Sequence, residues 1–177
     1  MKLHIIHYND LHSHFDMWPR YMSFVKEHRT YDSLVFDLGD HADRVDPATE
    51  ATKGKINTHL LNALMPTAVT IGNNEGITFP HDWLADLYTE ADFPVLVSNL
   101  EAPFAKQGVI HELPTGKVGV FGLTAPYIEL YGLLGWTIEE PFEVAAREIE
   151  RLRQEVDVLI CLSHLGFYQD EELAMRF

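Results

Sequence analysis

Four short stretches of this chain carry side chains able to hold a divalent cation. They are Asn9-Asp10-Leu11-His12, Gly39-Asp40, Gly72-Asn73-Asn74-Glu75 and Ser163-His164-Leu165-Gly166. Asp10 and His12 stand two apart, so an extended backbone would turn both to one side, where a carboxylate and an imidazole can clasp one ion. Asp40 follows a glycine, whose missing side chain lets the backbone turn sharply, and its carboxylate can bridge two ions. Asn73 offers an amide oxygen and His164 a ring nitrogen. A mixed nitrogen and oxygen donor set suits Zn, Mn, Fe or Co better than Ca. Taken singly, each motif reads first as a solvated loop, a turn or a satisfied polar residue. Jointly they weigh far more, because each ends an apolar run, at 3–8, 34–38, 68–71 and 158–162.

Residues so distant in sequence meet only if the fold gathers strand ends together. An open α/β sheet does this, placing its sites beyond the carboxyl ends of its strands. The chain shows the required alternation. Strands are predicted over 3–8, 33–38, 67–71, 94–98 and 157–162. A helix is predicted over 18–28, with Trp18, Tyr21, Met22 and Val25 at helical spacing. Asp46-Pro47 is an N-cap followed by proline at the first helical position, which predicts one helix to about Met65, stopped by Pro66. Further helices are predicted over 80–91 and 141–155. Pro114-Thr115-Gly116 separates two apolar runs as a hairpin turn does. The stretch 125–135, with Pro126, Gly132 and Gly135, reads as a loop. A last helix opens near Asp170 and runs to the chain end without a cap, which reads as a fragment of a longer domain. The alternation predicts an α/β fold: a mixed, mainly parallel sheet with helices on both faces.

Composition narrows the classes. The 177 residues suit one domain. With 46% hydrophobic and 23% charged residues, the chain is an ordinary globular one. A formal net charge of −14 disfavours nucleic-acid polymers and anionic membranes as partners. A small phosphate ester stays compatible, because bound cations invert the local charge. The single cysteine, Cys161, lies in an apolar run and reads as a core residue. With no membrane-length apolar stretch and no secretory leader, the expected location is cytoplasmic. Oligomeric state is left open.

The order Asp-x-His, Gly-Asp, Gly-Asn-Asn-Glu, Ser-His-Leu-Gly resembles the calcineurin-like metallophosphoesterases, within them the 5'-nucleotidase branch with its bacterial YunD-like members. Pro94-Val95-Leu96-Val97-Ser98-Asn99 and the run 117–124 carry the same likeness, which spans nearly the whole chain. The resemblance implies a four-layer sandwich and two divalent metal ions of unassigned identity. Asp10 and His12 would hold the first, Asp40 would bridge both, and Asn73 and His164 would hold the second. It implies hydrolysis of phosphate esters, nucleotides above all, by a hydroxide activated between two metals. Residues 1–177 would be the N-terminal part of one catalytic domain.

Two departures from the family pattern stand out. The family's His, paired with an Asp three residues later, is here replaced by Asn74 and Ile77. Asn74 can donate a hydrogen bond to a phosphoryl oxygen but supplies no proton at neutral pH, so it is the candidate catalytic and substrate-contacting residue with reduced power. His14 and His41, close to ligands in sequence, are candidates for another acid in its place, although solvated histidines are the simpler reading. The family's Gly-His-x-His motif does not occur in these residues, nor does its nucleoside-gripping C-terminal domain. The alternative is therefore a catalytically impaired metal- or nucleotide-binding module, the chain being an inactive fragment. Arg44 is a candidate phosphate contact, with an ion pair to Asp43 or Asp46 as the rival reading. Glu75 is expected to cap or orient backbone, Asp37 to support the site from within its strand, and Asn99 to close a turn.

Overall fold

The computed structural model describes residues 2–177. A first sheet is built from β1 (His4–Tyr8), β2 (Ser33–Asp37), β3 (Ala68–Val69), β4 (Val95–Leu96) and β6 (Ala105–Lys106), all parallel and in that spatial order. Between them run α1 (Trp18–His28), α2 (Pro47–Ala51), α3 (Lys55–Leu64) and α4 (His81–Leu87), with the two-residue strand β5 (Leu100–Glu101) after β4. A second sheet pairs β7 (Val109–Leu113) antiparallel to β8 (Gly116–Thr124), and β8 parallel to β10 (Val158–His164). α5 (Ile128–Leu133), β9 (Thr137–Ile138) and α6 (Pro141–Leu152) fill the β8–β10 connection, and α7 (Phe167–Arg176) follows β10. β9 pairs back onto β5.

Strand alternation sorts the apolar residues into three cores. Ile6, Val35, Val69 and Val95 face the helices, meeting Val25, Leu61, Leu64, Leu84 and Leu87. Leu34, Phe36, Ala68 and Leu96 face the other way, against Val118, Val120 and Leu162 of the second sheet. The opposite side of β8, with Phe121 and Leu123, packs on Val144, Ala145 and Leu152 of α6. The order is thus helix, sheet, sheet, helix: a mixed α/β fold with a mainly parallel central sheet. The sheets touch at their carboxyl ends. Ser98 N–H donates to Gly122 O at 2.8 Å, and Asn99 Oδ1 and Nδ2 bond the main-chain N and O of Thr124 at 3.0 and 2.8 Å.

Two sequence expectations need correction. The single helix expected from Asp46 to Met65 is two. Asp46 does cap the first, its Oδ1 accepting from Ala48 N–H and Thr49 N–H. The chain then breaks where Lys53 and Gly54 take left-handed φ of 53° and 81°, and α3 restarts. The stretch 125–135 is not wholly loop either: α5 forms there, anchored by the fully buried Tyr131. Among the described residues no helix is long and apolar enough to cross a membrane.

Candidate metal centre

The site begins as a problem of backbone shape. Beyond β2 and Leu38 stands Gly39, whose φ is +99°, followed by Asp40 at φ 54°. A side chain on Gly39 would put its first carbon 2.4 Å from Gly72 N, and one on Gly72 would sit 2.0 Å from Asp40 Oδ1. Two glycines therefore let the turns after β2 and β3 interlock. The loop after β1 docks on the same turn: Asp10 N–H donates to Gly39 O at 3.0 Å, His12 N–H to Asp40 O at 2.9 Å and Ser13 N–H to His41 O at 3.1 Å. Asp10, His12 and Ser13 are left-handed as well, with φ of 54°, 43° and 55°. Asp10 and His12 do meet, but not by the extended alternation expected; a left-handed turn folds one toward the other. Such backbone persists where surrounding structure holds it, and it clusters at functional sites.

Onto this frame come the side chains. Asp10, Asp40 and His164 each offer a ligand atom, all within 4.8 Å of one another. Asp40 Oδ2 lies between two imidazoles, 3.7 Å from His12 Nε2 and 3.6 Å from His164 Nε2. His12 Nε2 is 3.5 Å from Asp10 Oδ1. His164, from the second sheet, reaches across to bond Leu38 O through Nδ1 at 2.7 Å. A carbonyl only accepts, so Nδ1 carries a proton and Nε2 faces the cluster, the arrangement that orients a ligating histidine. Burial opposes charge on Asp40, yet the His164 hydrogen bond and the Asn74 N–H hold its carboxyl below the ordinary range. Burial likewise lowers His164, but Asp40 outweighs it and lifts the imidazole to about 9. Without an ion, a proton supplies the positive charge this carboxylate attracts. A borderline divalent cation fits the same donors.

Asn73 is half-buried and sits between Gly72 and Asn74, the two residues of this turn that touch Asp40. Asn74 N–H donates to Asp40 Oδ1 at 2.7 Å, and its side-chain amide meets His12 Nδ1 at 2.6 Å. Ile77, three residues on, packs against the helix-side core. Arg44 is tied down. It grips Glu50, not Asp43 or Asp46, at 2.8 and 3.0 Å, donates to Thr78 O at 2.7 Å and lies over the Trp83 ring. His41 is not solvated but fully buried, its Nδ1 3.3 Å from Asp37 Oδ1 and its Nε2 2.9 Å from Tyr88 OH. His14 is exposed. Asp43, read from sequence only as a partner for Arg44, places Oδ2 3.5 Å from His12 Nδ1. Beside the cluster, a cleft of about 350 Å³ is lined by Asn9, Asp10, Leu38, Ser163 and His164.

The chain is 43% identical to the uncharacterized metallophosphoesterase YunD of Bacillus subtilis, over 98% of this chain and 40% of that protein. It is 31% identical to human 5'-nucleotidase over 81% of this chain and 27% of that protein. Among solved structures, Haemophilus influenzae NAD nucleotidase superposes with a TM-score of 0.82 at 19% identity, over 97% of this chain and 36% of that one. The 5'-nucleotidase precursor from Thermus thermophilus gives 0.72 at 21% identity, over 97% and 39%. No family model matches. The chain spans about 40% of the length of YunD, so these likenesses concern one part of longer relatives.

Proposed function

We infer that this chain is a metallophosphoesterase of the 5'-nucleotidase type and that it serves metal-dependent hydrolysis of phosphate esters. The observation that carries this reading is Asp40, one buried carboxylate set between His12 and His164 with Asp10 beside it. Asp10 and His12 would hold one divalent ion, Asn73 and His164 a second, with Asp40 shared. Such ions supply Lewis-acid charge at the phosphoryl oxygens and lower the pKa of bound water.

The chain's own residues do the positioning. Leu38 O fixes the His164 ring, and Asn74 fixes that of His12. For His12 Nε2 to face an ion, Nδ1 carries the proton and the Asn74 amide presents its oxygen to it, which leaves the NH₂ group to meet a phosphoryl oxygen. Arg44, engaged by Glu50 and Thr78, contributes to shape before it contributes to phosphate binding. The substrate we favour is a small phosphate ester, a nucleotide first. The names of the human relative and of the Haemophilus structure support it, as does an acidic surface unsuited to polyanions.

A second reading is a binding module with weak catalysis. It is favoured by Asn74 standing without a proton to give and by an apolar, partly buried Ile77 three residues on. One assay separates the two. With Mn²⁺ or Co²⁺, an aryl phosphate and a nucleotide should be hydrolysed, and Asp40→Asn should abolish turnover. Mn²⁺ binding without turnover supports the module; no Mn²⁺ binding overturns both.

A further inference from the structure

Glu75 is the residue whose burial the metal ligands do not explain. It is 0% exposed, yet it carries a carboxylate. Oε2 accepts from Asp40 N–H and from Gly72 N–H, both at 2.9 Å, and Oε1 accepts from Ala42 N–H at 2.7 Å. Three main-chain donors from two different turns thus converge on one side chain more than 30 residues away in sequence from Asp40 and Ala42. Behind it, His41 Nε2 lies 3.9 Å from Oε1 and Tyr88 OH closes the far side. Asp37 Oδ1 accepts from Gly39 N–H at 2.8 Å, so every N–H from Gly39 to Ala42 except that of His41 ends on a buried carboxylate.

The outward carbonyls of the same turn do separate work. Gly39 O, Asp40 O and His41 O accept from Asp10, His12 and Ser13. The turn is therefore gripped from within by Glu75 and itself grips the first loop from without. Glu75 also holds Gly72, which leads into Asn73. Its own main chain forms part of a π-helical turn, Asn74–Thr78, a widened geometry often found at functional sites.

We propose that Glu75 is a positioning residue of the metal centre: it clamps the Gly39–Ala42 and Gly72–Asn73 turns together and so sets where the Asp40 carboxylate stands. This rests on the metal reading above. The left-handed conformation of Asp40 strains a residue with a side chain, and three charge-assisted hydrogen bonds are what hold it there. Glutamine is nearly isosteric but has one acceptor oxygen. Whichever way its amide turns, an NH₂ group faces a main-chain N–H.

The test uses the 177-residue chain and Mn²⁺ alone, by calorimetric titration well below the melting temperature. Glu75→Gln should weaken Mn²⁺ binding about ten- to a hundredfold, the range for groups that orient ligands. Leu84→Ala, a buried change in the helix-side core, is the control for stability alone. It should lower the melting temperature and leave Mn²⁺ affinity unchanged. Unchanged affinity in Glu75→Gln, or equal weakening in Leu84→Ala, overturns the proposal. Should Glu75→Gln not fold, hydrogen exchange on the unsubstituted, metal-free chain decides. The Asp40, Ala42 and Gly72 amides should be protected like those of the β2 interior, and exchange at the rate of an open loop overturns the clamp. An unsubstituted chain that binds no Mn²⁺ overturns the metal reading itself, and the clamp with it.

Discussion

Asn74 touches two of the proposed ligands at once, Asp40 through its main chain and His12 through its amide. A neutral amide donates no proton, so departure of an alkoxide goes unassisted, and hydrolysis should depend steeply on the leaving group. We expect aryl phosphates to be cleaved far faster than alkyl phosphates, and Asn74→His to flatten that dependence. Rates across a series of graded leaving groups would show it, and equal slopes for both proteins would refute it. Gly72→Ala should cost most of the Mn²⁺ affinity, because its new carbon would lie 2.0 Å from Asp40 Oδ1; a titration matching the parent would disprove the interlock. The site was only partly legible at this scale. Asp10, His12, Asp40 and His164 announce themselves because each ends an apolar run. Glu75 is expected from sequence to cap or orient backbone, and it does, but which turns it joins is hidden, since contacts between residues 33 and 35 positions apart exist only once the sheet is built. The burial of His41 was hidden for the same reason.

Elements whose signals are local were read correctly. The apolar spacing of residues 18–28 and the Pro114-Thr115-Gly116 turn correspond to α1 and to the β7–β8 hairpin. The break after α2 was missed, since an isolated glycine in a helical pattern is commonly tolerated. Here Gly54 is not merely tolerated. A side chain would meet Leu87 Cδ1 at 2.6 Å and Phe79 Cε1 at 2.8 Å, at a φ of 81°. Gly54→Ala should therefore destabilise the chain by about 1–3 kcal/mol, from overpacking and strain together. Chemical denaturation would measure it, and a stabilised variant would mean that α2 and α3 can run on as one. α5 escaped notice because Pro126, Gly132 and Gly135 mask a six-residue helix held by Tyr131 rather than by propensity.

At the scale of the whole molecule, the metal-free chain carries two histidines with raised values. Burial alone would depress both, but Glu75 and Asp37 lift His41, and Asp40 lifts His164, each to about 9 against 6.5 unperturbed. A folded value above the unfolded one stabilises fully below pH 6.5, and that contribution fades as pH rises through about 9. With chelator present, melting should thus occur at lower temperature above pH 9 than near pH 6; a flat profile would contradict these charge pairs. The two-sheet sandwich was legible only through the family resemblance, because strand alternation alone does not say whether two sheets stack or join. The stacking divides the chain at residues 107 and 108, with the first sheet before and the second after. Yet Tyr131 and Trp136, from after the cut, complete the core before it. Asp10 and Asp40 lie on one side, His164 on the other. Two separately expressed pieces cut there would each expose an unburied face and half a coordination sphere. Recovered Mn²⁺ capture would then report their reunion, which makes this junction a natural place to build a split reporter.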